Sequence, residues 1–144
     1  MINYFAFGSN MSAKRMHDRL GWSPSRSGAI LHNYEMVFNK HSNDGGKANI
    51  MSSPSNLVEG ILYFVNEEDL LILDKYEGVA SKQYKRYDIE VQDNNKKSFA
   101  AVAYKALNTG KIFAPTEEYL NYILEGKEFL SLEYYSKLES TKTL

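Results

Sequence analysis

Glu77 closes the run Leu73-Asp74-Lys75-Tyr76 and stands directly before Gly78, a residue type that ends helices by turning left-handed. A carboxylate at the end of a helix faces the negative pole of the macrodipole, which raises its proton affinity. Burial there moves its pKa toward neutrality, the range in which a general base works. The plain alternative is an exposed glutamate before a capping glycine. A second segment, Phe7-Gly8-Ser9-Asn10, turns out of a strand-like run toward a helix. Backbone N–H groups at such an opening lack internal partners and can hold a carboxylate, and Gly8 permits its close approach. Here the plain alternative is an ordinary strand-to-helix turn. Ser9 lies outside any G-x-S-x-G elbow and no histidine is tied to it by pattern, which argues against a serine hydrolase. His17, His32 and His41 have no metal-ligand spacing and there is no cysteine to complete a zinc site, so neither metal nor cofactor is expected.

The elements that must carry these segments are short. Residues 2–7 read as a strand, Ser12 as the N-cap of a helix reaching Arg19 or Leu20, and Gly21 and Pro24 as a loop. Gly28 to about His41 and Ala48 to Met51 read as two strands across the Asp44-Gly45-Gly46 turn. Leu57 to Val65 reads as a further strand, in which Gly60 allows close backbone approach. Asn66 caps the helix leading to Glu77, with Leu70, Leu71 and Leu73 as its apolar face. Tyr84 to Val91 and Phe99 to Leu107 form a hairpin, and Thr116 starts a helix carrying Tyr119, Tyr122 and Ile123. A last helix covers Leu132 to Leu138, and the tail from Ser140 frays. Strands and helices without a βαβ rhythm predict an α+β fold, a mixed sheet or open β-barrel with short helices.

Composition narrows the function classes. At 144 residues, with 43% apolar and 24% charged, the chain reads as a single domain over residues 1–144 with an ordinary core. A net charge of −1 lacks the cationic field that draws proteins to nucleic acid or anionic membranes. No stretch approaches the roughly 18 apolar residues of a membrane span. The start shows no basic region followed by a long apolar run. Zero cysteines fit a reducing compartment, and a cytoplasmic protein is expected. Eleven tyrosines and seven phenylalanines suit strands that pack a ring and offer a hydroxyl. An aromatic-rich surface is compatible with a homodimer, although no segment locates its interface.

The segment Tyr4-Phe5-Ala6-Phe7-Gly8-Ser9-Asn10-Met11 resembles the YFAYGSNL opening of the γ-glutamyl cyclotransferase (AIG2-like) family. Leu73 to Val79, followed by Tyr84 and Ile89-Glu90-Val91, resembles that family's second signature. Gly45-Gly46, Ser53-Pro54, Gly60, Pro115, Tyr119 and Leu132-Glu133-Tyr134-Tyr135 extend the likeness over nearly the whole chain. The resemblance implies the γ-glutamyl cyclotransferase fold and release of 5-oxoproline from a small γ-glutamyl substrate. By position, Glu77 matches the family's proton acceptor, and Tyr4, Phe5, Ala6, Phe7, Gly8 and Ser9 match its substrate-binding loop, whose backbone groups hold the γ-glutamyl moiety and which Asn10 continues. Tyr119 is similar to a further substrate contact, and Tyr84 and Tyr104 to tyrosines lining the cavity, with a purely structural role equally open for Tyr104. Asn10 sets the chain apart from the glutathione-specific branch, which usually shows YGSL. Phe7 departs from the family's tyrosine and removes a hydroxyl worth on the order of 1 kcal/mol if it orients substrate. A binding module that keeps the cavity without the chemistry is the alternative, and Glu77 is the feature against it. For the acceptor side of the cavity, Ser81 to Gln83 and Asn108 to Ala114 are the expected contributors.

Overall fold

The computed structural model describes residues 1–144. Five strands close into a barrel in the order β1-β3-β2-β4-β5, where β1 is Ile2–Ala6, β2 Arg26–Lys40, β3 Lys47–Val65, β4 Tyr84–Gln92 and β5 Ser98–Ala106. The mixed sheet expected from the sequence thus meets itself rather than staying open. Closure comes from the one parallel pairing, β1 on β5 at Tyr4 and Val102. Closing the sheet leaves no free edge to aggregate, which suits a chain with this many β-formers.

Ala48–Met51 and Leu57–Val65 prove to be parts of one strand, since β3 runs unbroken through Pro54. The two-strand reading took Ser52-Ser53-Pro54-Ser55 for a break. β2 pairs with β3 along almost its whole length, from Arg26 opposite Tyr63 to Lys40 opposite Lys47. Register shifts between His32 and Tyr34 absorb the irregularity, with Asn33 and Ser55 both at positive φ. Bulges of this kind bend a long ribbon without ending it. Gly60 is where β3 crosses β1: a Cβ there would overlap the Ala6 carbonyl oxygen and lie 2.8 Å from the Phe5 ring.

Four helices surround the barrel: α1 (Ala13–Leu20), α2 (Glu67–Tyr76), α3 (Glu117–Leu124) and α4 (Leu132–Glu139). Each starts on a side-chain cap, from Ser12, Asn66, Thr116 and Ser131 respectively. In α2 the cap is reciprocal, with Asn66 accepting from the Asp69 amide and Asp69 accepting from the Asn66 amide. Leu70 and Leu73 of α2 are buried, but Leu71 is 53% exposed and does not belong to its apolar face. Three-residue spacing puts Leu70 and Leu73 on one side, and the intervening Leu71 points away. The tail is held rather than frayed: the Leu144 amide donates to the Pro115 carbonyl at 3.0 Å. No helix is long and apolar enough to cross a membrane.

Two contacts set α1 against the other helices. Trp22, just beyond α1, donates its indole N–H to Asp69 of α2 at 2.9 Å, and Ser12 donates to Glu125 at the end of α3 at 3.1 Å. These ties fix α1 across the mouth formed by the end of β1 and the end of α2.

Candidate active site

Where β1 ends, the chain makes a single 3-10 turn over Ser9–Met11 before α1 begins. The amides of Met11 and Ser12 bond to the carbonyls of Gly8 and Ser9, whereas the N–H groups of Gly8, Ser9 and Asn10 have no acceptor in the protein. Gly8, Ser9 and Asn10 line a cavity of about 160 Å³ together with Tyr4, Phe7, Glu77, Tyr84, Tyr104 and Tyr119. That is the scale of a small metabolite rather than a polymer. The turn is braced from three sides. Asn10 donates to the Tyr4 hydroxyl at 2.9 Å, accepts from Arg19 at 3.0 Å, and its carbonyl accepts from the Tyr63 hydroxyl at 2.6 Å.

Glu77 is the residue immediately after α2, with its amide on the carbonyl of Leu73 and Gly78 following at φ 67°. The helix end therefore aims the glutamate into the cavity, and the left-handed glycine turns the chain away behind it. Burial pushes the Glu77 carboxyl up to about 7, against the opposing pull of the Arg19 and Arg15 guanidinium groups. No protein group donates a hydrogen bond to this carboxylate, which leaves its oxygens free for a ligand. A half-buried carboxylate with a pKa near neutrality and no partner can take up and return a proton at physiological pH.

Tyr84 and Tyr119 grip one residue of β3. The Tyr84 hydroxyl donates to the Ala48 carbonyl at 2.8 Å, and the Tyr119 hydroxyl accepts from the Ala48 amide at 3.0 Å. Neither the Tyr119 hydroxyl nor that of Tyr4, whose oxygen accepts from Asn10, has an acceptor in the protein, and both residues line the cavity. Burial raises the pKa of both hydroxyls, so they act as neutral donors. Tyr104 is different: it donates to Asp74 at 2.7 Å, one turn before Glu77, and packs edge-on to Tyr4 with ring centroids 5.7 Å apart. Asp74 is also held by two bonds from Arg86 at 2.8–2.9 Å. Tyr104 thus touches the cavity wall and braces the helix that carries Glu77.

Of the residues singled out in the sequence, Phe5 and Ala6 do not reach the cavity. Phe5 is fully buried in the barrel against Gly60, and Ala6 pairs with Ile61. Alternation along β1 turns Phe5 to the face opposite Tyr4, whereas Ala6, on the same face as Tyr4, is buried with only a methyl group to offer. Phe7 does line it, 6% exposed, at the position where a hydroxyl is missing. Neither Ser81–Gln83 nor Asn108–Ala114 contributes to the lining. Arg15, Arg19, Lys47, Ala48 and Tyr76 do, and sequence reading passed over them. Arg15 and Arg19 are four apart on α1 directly after the turn, a spacing that puts both on one helix face and was the available signal. Lys47 had no signal beyond following Gly45-Gly46. No group of three or more His, Asp or Glu side chains stands together as metal ligands would.

Comparison with known proteins adds independent findings. The model of the AIG2-like family matches residues 57–138. A bovine γ-glutamylcyclotransferase is 32% identical over 145 aligned positions, covering 95% of this chain and 77% of the relative. The human γ-glutamylcyclotransferase is 30% identical over the same shares. A solved γ-glutamyl cyclotransferase structure superimposes with a TM-score of 0.89 at 30% identity, covering 99% of this chain and 89% of that one.

Proposed function

The chain belongs to the AIG2-like, γ-glutamylcyclotransferase family, and on that footing we propose that it releases 5-oxoproline from a γ-glutamyl amino acid or amine, with Glu77 as the base and acid. The observation that carries this reading is Glu77 itself, a carboxylate without a protein partner, raised to about 7 by burial, in a cavity whose other wall offers three open backbone N–H groups.

In this mechanism Glu77 removes a proton from the substrate's α-ammonium. The freed amine attacks the γ-carbonyl carbon of the same molecule and closes a five-membered lactam. The bond from that carbon to the leaving amine breaks as Glu77 returns the proton to the departing nitrogen, and the second proton that the attacking nitrogen sheds on becoming a lactam N–H passes through the Glu77 carboxylate to the released amine, which departs as an ammonium. No covalent enzyme intermediate is required. Nucleophile and electrophile share one chain, so the protein's main task is to hold the folded conformer. The amides of Gly8, Ser9 and Asn10 and the hydroxyls of Tyr4 and Tyr119 are the donors for the substrate's carboxylate and for the oxygen that gains charge during attack. Tyr84 positions Ala48, and Tyr104 positions α2 through Asp74.

A free small molecule in the cytoplasm, within the metabolism of glutathione or other γ-glutamyl compounds, is the substrate this reading calls for. The deciding experiment incubates the protein with γ-glutamyl dipeptides, γ-glutamyl-lysine and glutathione and measures 5-oxoproline. Wild type should release it from at least one, and Glu77→Gln should lose turnover by several orders of magnitude while still binding. Turnover that survives in Glu77→Gln sinks the mechanism. No release by wild type from any of them favours a binding module of the same fold or a more specialised γ-glutamyl intermediate.

A further inference from the structure

The cavity carries three cationic side chains, Arg15, Arg19 and Lys47, against the single carboxylate of Glu77. They form two groups. Arg19 and Arg15 sit close enough to Glu77 to pull its proton affinity down, and Lys47 is not among the charges acting on it. Arg19 is committed to Asn10, whereas the buried Nε of Arg15 has no partner at all. Lys47 packs on a different ring from the arginines, its ammonium 4.3 Å from the centroid of Tyr119 and 3.3 Å from the exposed Asp44, whereas Arg15 and Arg19 sit over Tyr122 and Tyr76. The Lys47 side chain is only 22% exposed, and the residue lines the cavity.

A γ-glutamyl amino acid brings two carboxylates to such a cavity. Its α-carboxylate shares a carbon with the ammonium that Glu77 deprotonates, which keeps it at the arginine pole. The carboxylate of the leaving amino acid lies across the scissile bond, on the far side of the γ-carbonyl. Resting on the cyclotransferase reading, we propose that Lys47 is a specificity-determining residue that takes the carboxylate of the leaving amine. The site then favours γ-glutamyl amino acids over γ-glutamyl amines and amides. The Tyr119 face beneath the ammonium holds it in place by cation–π attraction, and Asp44 pairs with it until substrate arrives.

The test compares γ-glutamyl-alanine with γ-glutamyl-alaninamide, which differ only in that carboxylate, and reads the ratio of their kcat/KM values. The ratio compares two substrates on one protein, so a general loss of folded enzyme cancels. Wild type should prefer the carboxylate by about tenfold or more, as one charge-assisted hydrogen bond provides. Lys47→Met should bring the ratio near one, and Lys47→Arg, which keeps the cation, should retain most of it. A wild-type ratio near one, a ratio unchanged in Lys47→Met, or one lost as fully in Lys47→Arg overturns the inference. Absence of release from both substrates by wild type overturns the γ-glutamyl amino acid reading on which this inference rests, whereas release with an unaltered ratio overturns this inference alone.

Discussion

Arg19 donates to the side-chain oxygen of Asn10 at 3.0 Å, so the helix that follows the Gly8–Asn10 turn reaches back and locks the turn it grew from. The same guanidinium is the strongest charge opposing the effect of burial on Glu77. One side chain therefore shapes the donor loop and tunes the base.

Arg19→Gln should separate these roles. With the cation gone, the Glu77 pKa moves further above about 7, so the ascending limb of the pH profile of kcat/KM shifts to higher pH. Activity lost at pH 7 should be partly regained at pH 8.5. A limb that stays in place would mean Arg19 acts on the loop alone.

Glu77 should also cost the protein stability. Its folded pKa is raised from 4.5 to about 7, so the folded state binds the proton more tightly than the unfolded chain. By linkage, stability is full below pH 4.5 and falls as pH rises through about 7, by roughly 2 to 3 kcal/mol. Glu77→Gln cannot ionise. Its melting temperature should exceed that of wild type above pH 7 and converge with it near pH 4.5. Equal melting temperatures at pH 8 would show that the carboxylate is not held in a desolvated site.

Tyr104→Phe tests the brace under the base. It removes the 2.7 Å bond to Asp74 and leaves the two from Arg86. Burial pushes the Asp74 pKa up, and the bonds from Arg86 and Tyr104 outweigh it to give a lowered value. The substitution should cost about 1 to 2 kcal/mol in urea unfolding at pH 7, with the difference shrinking as pH falls through the acid range where Asp74 protonates. If Tyr104 were a substrate contact only, KM would change and the unfolding midpoint would not.

Most of the local elements, and the glutamate proposed as the base, were legible in the sequence. Ser12, Asn66, Thr116 and Ser131 cap their helices, and Gly78 ends the turn behind Glu77, because capping and left-handed turns are decided by residues a few positions apart. The two motifs around Ser9 and Glu77 were legible for the same reason, each being one contiguous segment. The fold was needed to show that β3 runs through Pro54, that Phe5 packs against Gly60 away from the cavity, and that Lys47 and two residues of α1 complete the cavity. Those outcomes depend on barrel closure and on the packing of α1 against α2 and α3, contacts between residues far apart in the chain. No local pattern encodes which side chains from three distant segments share one cavity, and so the charges that set the pKa of Glu77 came into view only with the fold.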